Sequence, residues 1–352
     1  MKAVVAVAGV WLLGACGARD SVGVSDGAVR AEVKGDDGAA LYARYCGFCH
    51  GAEGEGYLAD NANALANQAF LATATDEFLR AGIVHGRPGT PMSAWGQVHG
   101  GPLSDAQVDA VVGHVRRWQT VPSEDVHGWQ GAGVATRGAP IYNVMCASCH
   151  GPEGQGVTAV SLNNPWFHAT ASDGFIRHAI VNGRPGTSMP AFATQLNERQ
   201  IDDLVAAIRA WKKPVDAVEA PPYVPNLETA VMNRGGAAAE FTPREGRYVP
   251  VDEVKAALDA GRELVLLDAR PVADYVLSHI SGAVGIPFYE IGNYLEKLPK
   301  DVWIIAYCGC PHAVSGQAVD ALRAAGFAKT AVLDEGFYVW EARGYPVTRR
   351  ED

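Results

Sequence analysis

Cys46-Gly47-Phe48-Cys49-His50 and Cys146-Ala147-Ser148-Cys149-His150 are two copies of one pentapeptide, Cys-x-x-Cys-His, set 100 residues apart. In an exported protein this spacing is the attachment site of a c-type haem. The two thiols add to the porphyrin vinyl groups as thioethers, and the adjacent imidazole binds iron from one side. One helical turn must deliver all three groups to a single macrocycle, which explains the tight spacing. A zinc site or a thioredoxin-like redox pair would use the same cysteines. Zinc would need two further ligands at matched spacing in each copy, and neither copy supplies them. The spacing therefore predicts two covalently bound haem c groups, one on Cys46 and Cys49 and one on Cys146 and Cys149. His50 and His150 are the expected axial ligands.

The surroundings repeat with the motif. Upstream, Gly38-Ala39-Ala40-Leu41-Tyr42 parallels Gly138-Ala139-Pro140-Ile141-Tyr142, each in a short helix that ends at its cysteines. Downstream, Gly51-Ala52-Glu53-Gly54-Glu55-Gly56 parallels Gly151-Pro152-Glu153-Gly154-Gln155-Gly156, with glycines that permit turns bulkier residues resist. Gly86-Arg87-Pro88-Gly89-Thr90-Pro91-Met92 then parallels Gly183-Arg184-Pro185-Gly186-Thr187-Ser188-Met189. Methionine is more often core filler, but Met92 and Met189 hold matched places in Pro/Gly-rich loops about forty residues after the haem histidines. They are the expected second axial ligands. His85 competes with Met92, yet its counterpart is Asn182, which cannot bind iron in the same way. His99 and His168 also lack counterparts, and all three histidines are expected at the surface or on a pocket rim. Each unit should close with an amphipathic helix. Ser104 with Gln107, and Asn197 with Gln200, fit an N-cap and its capping-box partner. Apolar residues follow at Val108, Val111, Val112, Val115 and Trp118, and at Ile201, Leu204, Val205, Ile208 and Trp211, one helix face in each case.

This order of elements resembles class I cytochrome c domains in tandem, similar to the dihaem subunit of bacterial haem-copper oxidases. The resemblance covers about half the chain. It implies axial pairs of His50 with Met92 and of His150 with Met189, each iron six-coordinate and closed to oxygen or peroxide. Such haems relay electrons, and His/Met ligation raises their potential relative to thiolate. The implied partners are redox proteins, a donor and an acceptor in a respiratory chain.

The chain has 352 residues, room for two or three domains, and 48% hydrophobic content typical of a folded protein. Its formal charge of -10 argues against nucleic acid and against an anionic membrane surface as partners. After Met1-Lys2 an apolar run from Ala3 to Ala15 suits a signal-peptide core and is too short to span a bilayer. It ends Leu13-Gly14-Ala15-Cys16, which resembles the bacterial lipobox. That likeness implies a lipid on Cys16 and a lipoprotein anchored at the membrane, facing the periplasm. Residues 16–37, rich in Gly, Ser and Asp, read as a flexible tether. Of seven cysteines, only Cys308 and Cys310 remain beyond the haem motifs and Cys16, so no disulfide framework is expected.

Between Pro214 and Gly246 five prolines and a Gly-Gly-Ala-Ala-Ala run describe a semi-extended connector, with Tyr223, Val224 and Phe241 expected to dock on a neighbour. Leu264–Leu267, Trp303–Tyr307 and Thr330–Leu333 are short apolar runs suited to buried parallel strands, with a helix expected from Val314 to Ala325. Repeated units of this kind favour an α/β domain with a central parallel sheet. Leu267-Asp268-Ala269-Arg270, His279-Ile280-Ser281-Gly282-Ala283-Val284-Gly285-Ile286-Pro287 and Gly336 through Trp340 to Val347 resemble the rhodanese family, with Glu335 where a second Gly is usual. The resemblance implies a reactive Cys308 at a strand end, cradled by backbone N–H groups, that accepts sulfane sulfur as a persulfide. The loop Cys308-Gly309-Cys310-Pro311-His312 lacks the Arg common in rhodanese loops, which weakens the case for a thiosulfate dianion. His312 is either a partial cation for the site or a solvated loop residue. Cys310 is a candidate to attack the persulfide, if Cys-x-Cys geometry permits it.

The expected architecture is multidomain: two all-α cytochrome c domains and then an α/β rhodanese-like domain. The boundaries are 1–15 leader, 16–37 tether, 38–121 and 134–213 cytochrome domains joined by 122–133, 214–246 linker, and 247–352 rhodanese-like domain. Three functions follow from these parts. The chain is an electron carrier coupled to sulfane-sulfur oxidation, a pure carrier with a binding module, or a sulfurtransferase regulated by its haems.

Overall fold

The structure, a computed structural model, describes residues 35–57, 61–215, 223–309 and 312–350. The expected leader, the lipidation site Cys16 and the second loop thiol Cys310 lie outside them. In the first unit α1 (Gly38–Tyr45) opens on Asp37, whose carboxylate accepts the Ala39 and Ala40 N–H groups, and α2 (Gly47–His50) carries the motif. Next come α3 (Gln68–Leu71) and α4 (Asp76–His85), N-capped by Asn67 and Thr75, and then α5 (Asp105–Arg116). The second unit repeats the plan as α6 (Ala135–Met145), α7 (Ala147–His150), α8 (Pro165–Thr170), α9 (Asp173–Asn182) and α10 (Glu198–Arg209).

Both terminal helices open on the capping box read from the sequence. Ser104 accepts the Gln107 N–H while the Gln107 side chain accepts the Ser104 N–H, and Asn197 and Gln200 do the same. Their apolar faces are buried against the first helix of each unit. Trp118 stands edge-on to Tyr42 at 5.0 Å between ring centres, and Trp211 to Tyr142 at 4.9 Å. The helices cross closely because glycine sits at the crossing. A Cβ at Gly38 would fall 2.0 Å from the Ala110 carbonyl oxygen, and one at Gly138 would fall 1.9 Å from that of Asp203.

The two units pack through Phe70 and Phe78 against Phe167 and Phe175. Two crosswise hydrogen bonds join them: Asn67 Nδ2 donates to the Pro185 carbonyl at 2.8 Å, and Asn164 Nδ2 to the Pro88 carbonyl at 3.1 Å. Each unit thus steadies the other's methionine loop by the same device. His85 stacks flat on Trp166 at 3.5 Å in this seam, with its Nδ1 2.7 Å from His99 Nε2. His168 departs from the expected surface position and is only 2% exposed. α8 turns it inward beneath Arg209, whose guanidinium also holds its carbonyl at 3.1 Å, and a lone histidine carries no periodicity to reveal that.

The third unit runs β1 (Val231–Met232), β2 (Tyr248–Val249), α11 (Val251–Asp259), β3 (Leu264–Asp268), α12 (Val272–Leu277), β4 (Ser278–Ile280), β5 (Val284–Gly285), β6 (Trp303–Tyr307), α13 (Ala313–Ala324), β7 (Thr330–Leu333), α14 (Gly336–Ala342) and β8 (Val347–Arg349). The main sheet has the order β1-β3-β6-β7-β2, with β5 also on β3; all pairings are parallel except β1 with β3. β4 and β8 form a separate antiparallel pair. Leu264, Leu266, Ile305, Tyr307 and Leu333 belong to one buried face, and Val265, Leu267, Ile304, Ala306 and Val332 to the other. The second face packs with α13 and runs into one hydrophobic cluster with both helical units. β1 lies in the stretch read as connector and is held by pairing Val231 with Val265. Tyr223 docks by accepting the Gly285 N–H at 3.0 Å and Phe241 by packing edge-on to Trp303, whereas Val224 stays 79% exposed. Among the described residues no helix is long and apolar enough to cross a membrane.

Candidate functional site

Each Cys-His motif closes a single turn. The Cys49 and His50 N–H groups both bond the Cys46 carbonyl, at 3.1 and 3.0 Å, and Cys149 and His150 bond that of Cys146 at 3.2 and 2.9 Å. The Tyr42 hydroxyl donates to the Gly51 carbonyl and the Tyr142 hydroxyl to that of Gly151, both at 2.8 Å, which fixes the turn after each histidine. His50 Nδ1 lies 2.9 Å from the Asn63 carbonyl, and His150 Nδ1 lies 2.8 Å from that of Val160. A carbonyl only accepts, so Nδ1 carries the proton and Nε2 keeps its lone pair for a metal. Burial holds both imidazoles below the usual histidine range and so keeps them neutral. These groups fit a haem c. Among the described residues no cluster of three or more His, Cys, Asp and Glu side chains is placed to hold a metal ion.

Met92 and Met189 are half-buried in loops that repeat bond for bond. The Arg87 N–H donates to the Met92 carbonyl at 2.7 Å and the Arg184 N–H to that of Met189 at 3.0 Å. Thr90 and Thr187 hydroxyls accept the two methionine N–H groups at 3.2 and 3.1 Å. Sequence reasoning passed over the arginines in these loops. Arg87 lies over the Phe78 ring at 5.3 Å and Arg184 over Phe175 at 5.1 Å, and burial brings both guanidiniums down to about 10. Their matched places in the repeat were the available signal.

Cys308 follows β6 directly and is 1% exposed. Its Sγ lies 3.2 Å from Ser315 Oγ in the first turn of α13, and its carbonyl accepts the Phe337 N–H at 2.9 Å. His312 precedes α13 in a left-handed conformation, its Nε2 3.1 Å from Asp334, and burial lowers its pKa. Its side chain is 31% exposed.

Cys308 opens on a cavity of about 40 Å³ that lies between units. Cys49, Thr90 and Trp95 of the first helical unit line it together with Asp274, Cys308 and Tyr338 of the third. Arg270 is on this wall too, and its Nε and Nη2 are held within the third unit. It binds both Asp268 oxygens, at 2.9 and 2.6 Å, and the Ser278 carbonyl at 2.6 Å, and lies 4.2 Å over Phe337. Asp274 accepts a hydrogen bond from Ser93 of the first unit, and burial pushes its carboxyl up to about 6 against that bond and the Arg270 charge. Around the cavity, Phe288 sits within 6.3 to 6.4 Å of Tyr45, Phe48 and Trp95. Nothing periodic marks Ser93, Asp274 or Phe288, so only the packing of units reveals them.

Comparison with known proteins follows the same division. The family described as cytochrome C oxidase, cbb3-type, subunit III matches residues 33–115 and 133–206, and the rhodanese-like domain family matches residues 250–343. The cbb3-type cytochrome c oxidase subunit CcoP of Azospirillum sp. (strain B510) is 27% identical over 190 residues, 49% of this chain and 60% of that one. An HTH-type transcriptional regulator of Mycobacterium tuberculosis is 40% identical over 87 residues, 24% of this chain and 38% of that one. The thiosulfate sulfurtransferase GlpE of Pseudomonas fluorescens is 29% identical over 103 residues, 29% of this chain and 90% of that one. The chain spans less than two thirds of the length of the oxidase subunit and of the regulator.

Proposed function

From a chain built of two cbb3-type cytochrome c domains followed by a rhodanese-like domain, we propose an extracytoplasmic electron carrier that draws electrons from sulfur chemistry at Cys308. His50 with Met92, and His150 with Met189, hold the two irons of haems bonded to Cys46, Cys49, Cys146 and Cys149. Haem c so ligated supplies a one-electron acceptor with no open coordination position. Cys16 carries the lipid that anchors the chain, and respiratory redox proteins receive the electrons. Cys308 takes up sulfane sulfur as a persulfide, whose two-electron oxidation feeds the haems; attack by Cys310 would instead release sulfide and leave a Cys308–Cys310 disulfide, a route that sends the haems no electrons. Two one-electron sites match the two electrons of thiol or persulfide oxidation.

One observation carries this reading: Cys49, a haem-attaching thiol, and Cys308, the sulfur-handling thiol, line the same cavity. The test is spectroscopic. Adding polysulfide to the oxidised protein should bleach the oxidised haem spectrum in the full-length chain and leave it intact in Cys308→Ser. Equal rates in the two proteins would discard the coupling and leave a carrier with a rhodanese-like binding module.

A further inference from the structure

We propose that each cytochrome domain holds the other's axial methionine in place, with Asn67 as a positioning residue for Met189 and Asn164 for Met92. The inference rests on the two methionines being iron ligands, as proposed above. Residue choice is the first observation. Ser, Thr, Asp and Asn all cap a helix through a side-chain oxygen, but of these only Asn also carries an amide N–H donor. Asn67 Oδ1 accepts the Phe70 N–H at 3.0 Å, and Asn164 Oδ1 accepts those of Trp166 and Phe167 at 3.1 and 3.3 Å. Each cap is complete without its Nδ2, which in both cases donates across the seam to the other domain's methionine loop.

The contact is reciprocal. Asn67 and Asn164 hold matched places in the repeat, and so do their acceptors, the Pro185 and Pro88 carbonyls. Two copies of one chain meet about a two-fold axis in the same way. The path from each bond to its methionine is short. Pro185 follows Arg184, whose N–H donates to the Met189 carbonyl at 3.0 Å, and Pro88 follows Arg87, whose N–H donates to that of Met92 at 2.7 Å. Each domain adds a second hold on its neighbour. The Ala69 carbonyl accepts Arg184 Nη1 at 3.0 Å, and Trp166 stacks at 3.5 Å on His85, just ahead of the Met92 loop.

A loop held in this way resists swinging its thioether aside. Opening it breaks a hydrogen bond to the other domain, which shifts the closed-to-open ratio about fivefold. Methionine ligation is then a property of the docked pair. A change at Asn67 is felt at the haem on Cys146 and Cys149, and a change at Asn164 at the haem on Cys46 and Cys49.

The experiment titrates the full-length, haem-loaded, oxidised protein with imidazole, which takes the methionine's place when a loop opens. Ferric haem c shows a weak band at the red edge of the visible spectrum only while a thioether is bound, and loss of that band measures the imidazole affinity. Met92→His removes the first thioether, so the band that is left reports Met189; Met189→His leaves Met92 as the reporter. Asn67→Ser and Asn67→Asp both keep an oxygen for the helix cap and lose the amide donor, the first without adding charge. Each should tighten imidazole binding about fivefold at the Met189 site and leave the Met92 site unmoved. Asn164→Ser and Asn164→Asp should do the reverse. A shift confined to the haem of the substituted domain, or none at either haem, would overturn the proposal, because a cap that serves only its own helix acts within its own domain. A haem-loaded chain with no thioether band before any Asn is changed would remove the ligation itself, and this inference with it.

Discussion

Asp203 has no counterpart in the first cytochrome domain, where the equivalent place in the terminal helix is Ala110. Its carboxylate accepts the Val134 N–H at 2.7 Å and two Arg137 bonds at 2.8 and 2.7 Å, tying α10 to the start of α6. The Arg137 hydrogen bond holds the Asp203 carboxyl below the usual carboxylate range. Its folded value then lies under the unfolded one of about 3.9, so its stabilisation is complete above that pH. The contribution falls away as the pH drops through the folded value. Asp203→Asn should lower the melting temperature of the second domain by roughly 5 °C near neutrality, and the two melting curves should converge in strong acid. Curves that stay apart there would assign the effect to packing rather than charge.

Among elements, the terminal helices and their crossing glycines make the sharpest expectations. Ser104→Ala and Asn197→Ala each remove one half of a capping box and should cost about 1 kcal/mol of stability by denaturant titration. Gly38→Ala acts differently, since its methyl group would meet the Ala110 carbonyl and push α1 off α5. α1 leads directly into the turn with Cys46, Cys49 and His50, so this variant should lose haem from the first domain alone. A pyridine haemochrome assay reads that as half the haem per chain. Full haem content in Gly38→Ala would show that the crossing tolerates the displacement.

For the molecule as a whole, the decisive contact is the seat of Phe288 among Tyr45, Phe48 and Trp95. Phe288→Ala removes a buried ring, a loss worth about 3 kcal/mol in a packed core, and it falls where the rhodanese-like and first cytochrome domains meet. The variant should expose Cys308, seen as faster alkylation by iodoacetamide in the full-length chain. An unchanged rate would mean that docking does not control access to the thiol.

Much of the fold was legible because its signals are local. A Cys-x-x-Cys-His turn, a capping box and an apolar stripe each lie within one helix or loop, and the repeat at an offset of 100 residues reads them twice. The strands β3, β6 and β7 were equally plain as short apolar runs. Other residues drew their roles from contacts made far along the chain. His168 was buried by the tilt of α8, His312 was taken by Asp334, and Val231 joined the sheet from a Pro-rich stretch. By itself the sequence determined two haem-binding helical domains and a rhodanese-like domain with its thiol at a strand end. Only the tertiary structure decided that Cys49 and Cys308 share one cavity, because packing between domains depends on side chains such as Ser93, Asp274 and Phe288, which follow no period and meet only once the chain has folded.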